Sequence, residues 1–327
     1  MRDAAILQIS DLTVSFETEN GRVRALDDVC LRLESGKILG LVGESGCGKS
    51  VTALSIMRLL PKPAGVIESG RILFKGTDIA VLSAEDVHAI RGSGISMIFQ
   101  EPMTALNPVK RIGSQLAEVY ELKQPDMNAA DMRVAAVKML ARVGIPEPDL
   151  RCEEYPHQLS GGMRQRVMIA MALAGRPDIL IADEPTTALD VTIQAQILDL
   201  ILALQEQTGM AVIFITHDLG VIAEICHDVA VMYAGQVVES ASVQDLFVRP
   251  CHPYTQGLLR SIPKLDRPNK TLLPTIEGSV PALDAMPAGC RFATRCPRVM
   301  AACRTRTPEL MPVDDGHQTR CYLYKGS

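Results

Sequence analysis

Residues 43–50 read Gly43-Glu44-Ser45-Gly46-Cys47-Gly48-Lys49-Ser50 and match the phosphate-binding pattern G-x-x-x-x-G-K-S/T. The pattern follows a short apolar run at 37–42 and precedes apolar residues at helical spacing at 50–60, which predicts strand, loop and helix. In that context the glycines let the backbone curl, so that N–H groups and the helix dipole face a phosphate. Lys49 is expected to reach the β- and γ-phosphates, and the Ser50 hydroxyl to ligate Mg²⁺. Residues from Gly43 to Val51 are therefore predicted to bind a nucleoside triphosphate.

A second apolar run, at 179–182, ends in two carboxylates, Asp183 and Glu184. A buried strand can place a carboxylate at its C-terminal tip, next to a phosphate-bound metal ion. Asp183 is therefore predicted to ligate Mg²⁺, and Glu184 to polarise the attacking water as general base. Taken alone, the run fits a strand that ends in an ordinary acidic turn. The phosphate-binding loop upstream favours the catalytic interpretation.

The composition limits the class of protein. The chain has 327 residues, 47% of them hydrophobic, and a formal net charge of −5. The hydrophobic content is typical of a compact globular protein, and the acidic balance argues against a general nucleic-acid binder. No run approaches the about 18 apolar residues of a membrane span, and the N-terminus lacks a secretory signal. A cytoplasmic protein is expected.

Strand-like and helical stretches alternate along the chain. The strand-like runs beyond those already named lie at 6–16, 23–33, 71–74, 95–99, 211–216 and 228–233. With helical stretches such as 193–207 between them, they predict an α/β fold with a largely parallel sheet. Residues 111–158 predict an inserted helical region, and the proline-rich residues 261–289 an extended linker.

One further motif identifies a family. Leu159-Ser160-Gly161-Gly162-Met163 lies upstream of the acidic strand and departs from L-S-G-G-Q only by its methionine. Together the three motifs resemble those of the ATP-binding subunits of ABC (ATP-binding cassette) transporters. The resemblance implies a P-loop ABC ATPase core at 1–250, with a mostly parallel sheet, an antiparallel N-terminal β part and an inserted α-helical subdomain at about 101–175. Residues 251–327 would form a C-terminal extension.

The resemblance also implies roles for single residues in the order of the family's motifs. Gln100 matches the glutamine that contacts Mg²⁺ or the lytic water, and His217 matches the switch histidine that contacts the γ-phosphate. Asp190 matches the loop that crosses the interface between two ATPase subunits. Phe16 stands where an aromatic side chain stacks on the adenine, and a place in the core fits it nearly as well.

Ser160, Gly161 and Gly162 imply that one chain does not complete an active site. At the start of a helix, the serine and the two glycine N–H groups form an anion site. In the family this site grips the γ-phosphate of an ATP held by the opposite subunit. Met163 removes a polar side chain from the motif but no backbone donor. The resemblance implies a tail-to-head dimer that closes on ATP and opens after hydrolysis.

Nine cysteines are present, and four of them cluster near the C-terminus, namely Cys290, Cys296, Cys303 and Cys321. In a chain without an export signal, clustered cysteines favour metal over disulfides. The spacing lacks the close pairs of most zinc sites and differs from the ferredoxin runs. It leaves zinc, an iron–sulfur cluster and four reduced thiols open. Cys47 stands at a helix N-terminus, where a thiol pKa can be lowered, although a tolerated small residue is the simpler interpretation.

The C-terminal part resembles the extension of oligopeptide, dipeptide and nickel importer ATPases. The matching stretches are His252-Pro253-Tyr254-Thr255 and Gly278-Ser279-Val280-Pro281, followed by the four cysteines. Residues 101–108 also resemble this branch. Some of its members hold a four-iron, four-sulfur (4Fe–4S) cluster in the extension, so the resemblance implies this cluster, with zinc as second choice.

The function implied by the resemblance is ATP hydrolysis that energises import of a small solute, with di- and oligopeptides first and nickel or other solutes second. The implied partners are two membrane-spanning permeases, contacted near 100–108, a second and different ATPase subunit and, indirectly, a solute-binding protein; no nucleic acid is expected. The implied location is peripheral, at the cytoplasmic face of the bacterial inner membrane.

A soluble ABC ATPase acting on ribosomes or DNA is the alternative from another class, and it commonly carries two cassettes. A regulatory subunit with a degenerate site is disfavoured by the intact motif residues.

Overall fold

The structure is a computed structural model that describes residues 5–19, 21–101, 105–187, 190–262 and 275–324. The chain divides into two compact units. The first consists of Met1–Val81 and Phe214–Ser327, and the second of Leu82–Ile213. The second unit is thus an insertion in the sequence of the first. The predicted division at residue 250 stays a prediction.

The first unit begins with a four-stranded antiparallel sheet. Its strands are β1 (Ala5–Thr18), β2 (Gly21–Glu34), β4 (Gly65–Phe74) and β5 (Thr77–Asp78), in the order β2-β1-β4-β5. Ile9 of β1 lies opposite Leu31 of β2 and Ile72 of β4, and all three are buried. This apolar register fixes the pairing, because a shift by one residue would turn the buried side chains to the other face. The strands predicted at 6–16 and 23–33 are confirmed, and the one predicted at 71–74 begins earlier, at Gly65.

A second group of strands carries the phosphate-binding loop. Its members are β3 (Ile38–Val42), β9 (Asp228–Tyr233), β10 (Gln236–Ser242), β11 (Met311–Asp314) and β12 (His317–Thr319). β3 is buried at every residue and pairs in parallel with β9, as expected of a strand covered on both faces. β9 pairs antiparallel with β10, and β10 with β12. The C-terminal hairpin therefore extends the group of strands that positions the loop.

The helices of the first unit are short. They are α1 (Lys49–Ile56), α8 (Leu219–Ile225), α9 (Val243–Val248), α10 (Pro253–Arg260) and α11 (Ala301–Thr305), with a 3-10 turn at Tyr322–Tyr324. The sequence predicts a longer first helix, to residue 60. α1 stops earlier because Arg58 takes a left-handed backbone conformation, with φ 52°.

The second unit combines parallel strands with helices. β6 (Ile95–Ile98) and β7 (Ile179–Asp183) are buried throughout and pair in parallel. The helices are α2 (Ala84–Ile90), α3 (Ile112–Lys123), α4 (Ala129–Arg142), α5 (Pro148–Cys152), α6 (Gly161–Ala174) and α7 (Val191–Thr208), with a 3-10 turn at Pro156–Gln158. β8 (Ala211–Thr216) follows and crosses the boundary between the units. Three of these helices, α3 to α5, lie in the helical region predicted at 111–158, and α6 lies beyond it but within the subdomain predicted at about 101–175.

Among the described residues, no helix has both the length and the apolar character of a membrane span.

An aromatic core supports the loop from within the first unit. Tyr233 of β9, Tyr254 of α10 and Phe292 are fully or almost fully buried, with ring centroids 4.7–5.4 Å apart. Aromatic rings in such tilted contacts stabilise the fold by more than the burial of their surface area alone would contribute. Two residues after Tyr233, the N–H of Gly235 donates to the carbonyl of Cys47 at 2.8 Å. The turn between β9 and β10 is thus attached to the phosphate-binding loop.

The Gly235→Ala variant is expected to destabilise the fold more than Gly76→Ala. Both glycines have φ near 80°, which costs a residue with a Cβ about 1–2 kcal/mol. A Cβ atom at residue 235 would also lie 2.2 Å from the carbonyl oxygen of Ala25, whereas one at residue 76 meets nothing within 4 Å. The loss of stability in each variant is measured as the change in melting temperature of the full chain. Equal losses in melting temperature would contradict the close packing at this turn.

Candidate nucleotide-binding site

The backbone of the phosphate-binding loop packs tightly against β9. A Cβ atom at residue 43 would lie 2.2 Å from the carbonyl oxygen of Met232, so glycine is required there by the close approach. Gly46 and Gly48 take positive φ angles of 78° and 106°, and Gly48 caps α1. The glycines thus form the curled loop that the sequence predicts. At Gly46 the position of a Cβ is open to solvent, which leaves room for a ligand.

Lys49 is buried and wrapped by its own loop. Its ammonium group donates to the carbonyl oxygens of Gly43 at 2.8 Å and Glu44 at 3.2 Å. These acceptors offset part of the cost of burying the charge. Ser50 and Val51 follow on the first turn of α1 and are half-buried. The arrangement fits a phosphate chain, because a cation and a helix N-terminus lie at one curled loop.

Cys47 corrects a sequence-based expectation. Its thiol is completely buried and lies 3.9 Å from the Lys49 ammonium. Burial raises the pKa of the Cys47 thiol, and the nearby lysine charge lowers it by less. The lowered pKa suggested by the helix N-terminus is therefore wrong. The thiol is packed inside the loop, which agrees with the simpler interpretation.

The second unit brings Gln100 and Glu184 together. Asp183 ends β7 and is buried, and Glu184 follows it half-buried. The Glu184 carboxylate accepts hydrogen bonds from the Gln100 amide at 3.0 Å and from the Thr187 hydroxyl at 2.9 Å. Gln100 follows β6, and the parallel pairing of β6 with β7 places both strand ends at one edge. Glu184 also has a φ of 45°, an unfavourable conformation of the kind that clusters at functional sites.

Ser160 and Asp190 each cap a helix. The Ser160 hydroxyl accepts from the N–H of Met163 at 3.3 Å at the start of α6. The Asp190 carboxylate accepts from the N–H of Ile193 at 3.0 Å at the start of α7. A Cβ on Gly161 would meet nothing within 4 Å, whereas one on Gly162 would meet Ile193 at 3.1 Å. The predicted anion site thus combines a capped helix N-terminus with Gly161, beside which there is open space.

Two predicted residues of the first unit have less distinctive surroundings. His217 is exposed and directly follows β8. Phe16 is half-buried near the end of β1, and its ring packs over Gly65, where a Cβ would lie 3.0 Å from it. The roles of both in contacting nucleotide stay predictions.

The four C-terminal cysteines line one small cavity of the first unit, with a volume of about 10 Å³. All four are free thiols, and apolar groups such as Phe292 and Ala293 share the lining. Burial raises the pKa of Cys290 and of Cys321 to about 11. These two thiols are therefore protonated at neutral pH, and a metal would have to displace their protons.

Close to this cavity, Glu239, Cys251 and His317 form a buried group that the sequence did not reveal. The Glu239 carboxylate accepts from the N–H groups of Cys251 at 2.6 Å and His252 at 2.8 Å, and it lies 2.8 Å from the His317 ring nitrogen. Because both carboxylate oxygens already accept backbone N–H groups, the group acts as a clasp between β10, the start of α10 and β12. It joins residues far apart in sequence, so no local pattern could indicate it.

Sequence analysis also missed two contacts of the phosphate-binding loop. The Tyr254 hydroxyl accepts the N–H of Glu44 at 3.0 Å. The Arg295 guanidinium donates to both carboxylate oxygens of Glu44, at 2.9 and 3.2 Å. Tyr254 and Arg295 lie 210 and 251 positions from Glu44, and nothing in the loop motif specifies them.

Comparison with known families identifies both parts of the chain. Residues 26–187 match the family model described as ABC transporter, and residues 238–303 match the oligopeptide/dipeptide transporter C-terminal region. The solved dimer of the ATP-binding cassette MJ0796, in a post-hydrolysis state bound to ADP and Pi, aligns with a TM-score of 0.65 and 26% identity, over 72% of this chain and 98% of that chain. The cassette cbiO1 from Clostridium perfringens aligns with a TM-score of 0.63 and 27% identity, over 76% of this chain and 92% of its own.

Relatives match nearly the whole chain. The dipeptide transport ATP-binding protein DppD of Bacillus subtilis (strain 168) is 51% identical over 97% of this chain and 94% of its own length. The probable peptide ABC transporter ATP-binding protein y4tR of Sinorhizobium fredii (strain NBRC 101917 / NGR234) is 51% identical with the same coverage. The oligopeptide transport ATP-binding protein OppD of Bacillus subtilis (strain 168) is 47% identical over 99% of this chain and 90% of its own. The predicted fold class, family resemblance and ATPase class are confirmed. The chain belongs to the ATP-binding proteins of the ABC transporter family, in the branch that carries the oligopeptide/dipeptide transporter C-terminal region.

Proposed function

We propose that this chain hydrolyses ATP to energise the import of di- or oligopeptides through a membrane-bound ABC transporter. The observation that carries the proposal is the identity of 51% with a dipeptide transport ATP-binding protein along almost the full length of both chains. The match of residues 238–303 to the peptide-transporter C-terminal region supports it independently of the ATPase motifs.

The residues of the first unit would bind the nucleotide. Lys49 and the curled loop from Gly43 to Val51 would hold the phosphates of ATP, and the Ser50 hydroxyl would ligate Mg²⁺. Bound Mg²⁺ would supply charge neutralisation at the phosphates. His217 would contact the γ-phosphate, and Phe16 would stack on the adenine. The buried lysine at a curled loop is the geometry that supports this assignment.

The residues of the second unit would act in hydrolysis. Asp183 would be a Mg²⁺ ligand, and Glu184 would accept a proton from water as general base. Gln100 would contact Mg²⁺ or the attacking water, and its hydrogen bond of 3.0 Å to Glu184 supports its place beside the proposed base. Ser160, Gly161, Gly162 and Asp190 would serve a neighbouring subunit, through the capped helix N-terminus of α6 and the interface loop before α7.

The proposed assembly contains two ATPase subunits, this one and a different one, and two permeases, with a solute-binding protein that delivers the peptide. The chain would lie at the cytoplasmic face of the bacterial inner membrane and would contact the permeases near residues 100–108. Residues 102–104 of that segment lie outside the described residues. The proposed domains are 1–250 for nucleotide binding, with a helical subdomain at about 101–175, and 251–327 for the extension.

We also propose a 4Fe–4S cluster at Cys290, Cys296, Cys303 and Cys321. Four thiolates about 2.3 Å from a single zinc ion lie within about 4 Å of one another. Among the described residues, these thiols form no group of three within 4.8 Å, although all four line one cavity. A cluster places iron atoms between its thiolates, which then stand farther apart. The wider spacing therefore favours the cluster over zinc, and the cluster would hold the extension together.

The Glu184→Gln variant is expected to lower ATP turnover by at least about 100-fold and to leave ATP binding within a few-fold of the wild type. The amide keeps the shape of the side chain but does not accept a proton. Steady-state turnover and equilibrium binding of a non-hydrolysable ATP analogue measure the two effects. Glu206→Gln, at an exposed position of α7, is the matched control and should change neither. Retained turnover in Glu184→Gln would exclude Glu184 as the base.

The assembly is tested by affinity purification of this chain from gently solubilised native membranes, with mass spectrometry of the bound proteins. We expect two polytopic permeases and a second ATPase, and loss of peptide uptake in cells that carry only the Glu184→Gln chain. Recovery with ribosomes, or with no membrane protein, would contradict the importer function while leaving the ATP site intact.

The cluster is tested by anaerobic purification. We expect about four iron atoms per chain and a broad visible absorption band. The Cys303→Ser variant should lose both, whereas Cys30→Ser, which removes a thiol of the N-terminal sheet, should keep them. A colourless protein with one zinc ion per chain would show that zinc occupies the site instead.

A further inference from the structure

The Arg295 guanidinium is buried, and its side chain is only 5% exposed. Two of its donors go to the Glu44 carboxylate, and others go to the carbonyl oxygens of Ile276 at 3.1 Å and Glu277 at 2.9 Å. A further contact reaches the Tyr233 hydroxyl at 3.4 Å. The planar guanidinium is thus fixed in place, and its two-pronged contact with Glu44 has the geometry that only arginine provides.

Glu44 places a negative charge inside the phosphate-binding loop. Its carbonyl accepts from Lys49, and its N–H donates to the Tyr254 hydroxyl, so its backbone is held on both sides. The Glu44 side chain is 29% exposed, and its carboxylate would repel the phosphates of a bound nucleotide if it carried an unbalanced charge. Arg295 balances that charge and fixes the direction of the side chain.

Buried ion pairs add little to stability on average, because the cost of removing both charges from water offsets their attraction. Arg295 also donates to the carbonyl oxygens of Ile276 and Glu277, and a leucine or methionine would leave these acceptors without this donor. Those two bonds hold the extension, whereas the charged contact with Glu44 reaches the phosphate-binding loop and points to a role there.

We propose that Arg295 is a positioning residue of the ATP site, which neutralises and orients Glu44 so that the phosphate-binding loop accepts a polyanion. The C-terminal extension thereby becomes part of the ATP site. The inference rests on the proposed ATP-binding function of the loop. It assigns to Arg295 an effect on nucleotide affinity and gives it no direct contact with the nucleotide.

The test is a double-mutant cycle on the full chain, with Arg295→Met, Glu44→Gln and the double variant. The probe is the Mg²⁺ complex of a non-hydrolysable ATP analogue, titrated at low and at high salt. Arg295→Met leaves one unbalanced negative charge and should weaken binding about ten-fold. The double variant again has a neutral pair and should recover to within about three-fold of the wild type. Because salt screens charges, the loss in Arg295→Met should shrink at high salt.

Two further variants separate charge from packing. Arg295→Lys keeps the charge but not the two-pronged contact, so its affinity should lie between those of the wild type and Arg295→Met. Arg249→Met removes an exposed arginine that pairs with Asp314 at 2.9 Å and should leave affinity unchanged. Melting temperature and metal content are recorded for every variant. If Arg295→Met weakened nucleotide binding through a defect in folding or metal content, adding Glu44→Gln would not restore the affinity.

The outcomes are distinct. A wild-type chain that does not bind the analogue overturns the proposed ATP site itself. A wild-type chain that binds, together with an Arg295→Met variant of equal affinity, overturns only the role of Arg295. A loss in Arg295→Met that persists in the double variant shows a purely structural role and also overturns the inference.

Discussion

The contact between the backbone of Gly43 and the carbonyl oxygen of Met232 is the constraint on which the candidate site depends. No side-chain atom fits between them, so the loop lies directly on β9. The parallel pairing of β3 with β9 brings the two segments together, and the hydrogen bond from Gly235 to Cys47 holds the far side of the loop. The curled shape is thus imposed by strands more than 180 residues away along the chain. A loop fixed in this way loses little conformational entropy when an anion binds, which favours affinity.

The same strands tie the C-terminal extension to the loop. β10 pairs with β12, and the buried Glu239 clasps the start of α10 to this hairpin. α10 carries Tyr254, whose hydroxyl accepts from the loop and whose ring packs on Phe292 in the aromatic core. Removing one member of such a hydrogen-bonded and packed set leaves buried partners unsatisfied, which is costly. The extension is therefore integral to the first unit, and its folding is coupled to the shape of the loop.

Local patterns in the sequence predicted what depends on neighbouring residues. The spacing of the glycines predicted the phosphate-binding loop, and continuous apolar runs predicted β3, β6 and β7. The end of a predicted strand indicated the positions of Asp183 and Glu184. The failures have one physical origin, which is that they depend on residues distant in sequence. Burial under the folded loop raised the thiol pKa of Cys47 against the helix-terminus rule. The partners of Glu44 and the Glu239 clasp join segments from different parts of the chain, and no propensity or periodicity reports such pairs.

The phosphate-binding loop and the residues predicted to activate water belong to different units. Lys49 and its loop lie in the first unit, with their supports in β9 and the extension, whereas Gln100, Asp183 and Glu184 lie in the second. The unfavourable φ of Glu184 costs about 1–3 kcal/mol and persists because buried β7 and the hydrogen bonds from Gln100 and Thr187 hold the residue. Each unit therefore holds its own group of predicted site residues in place through contacts within that unit. Substitutions in the extension should then act on nucleotide affinity, and substitutions around Glu184 on turnover, because the contacts that fix each group stay within one unit.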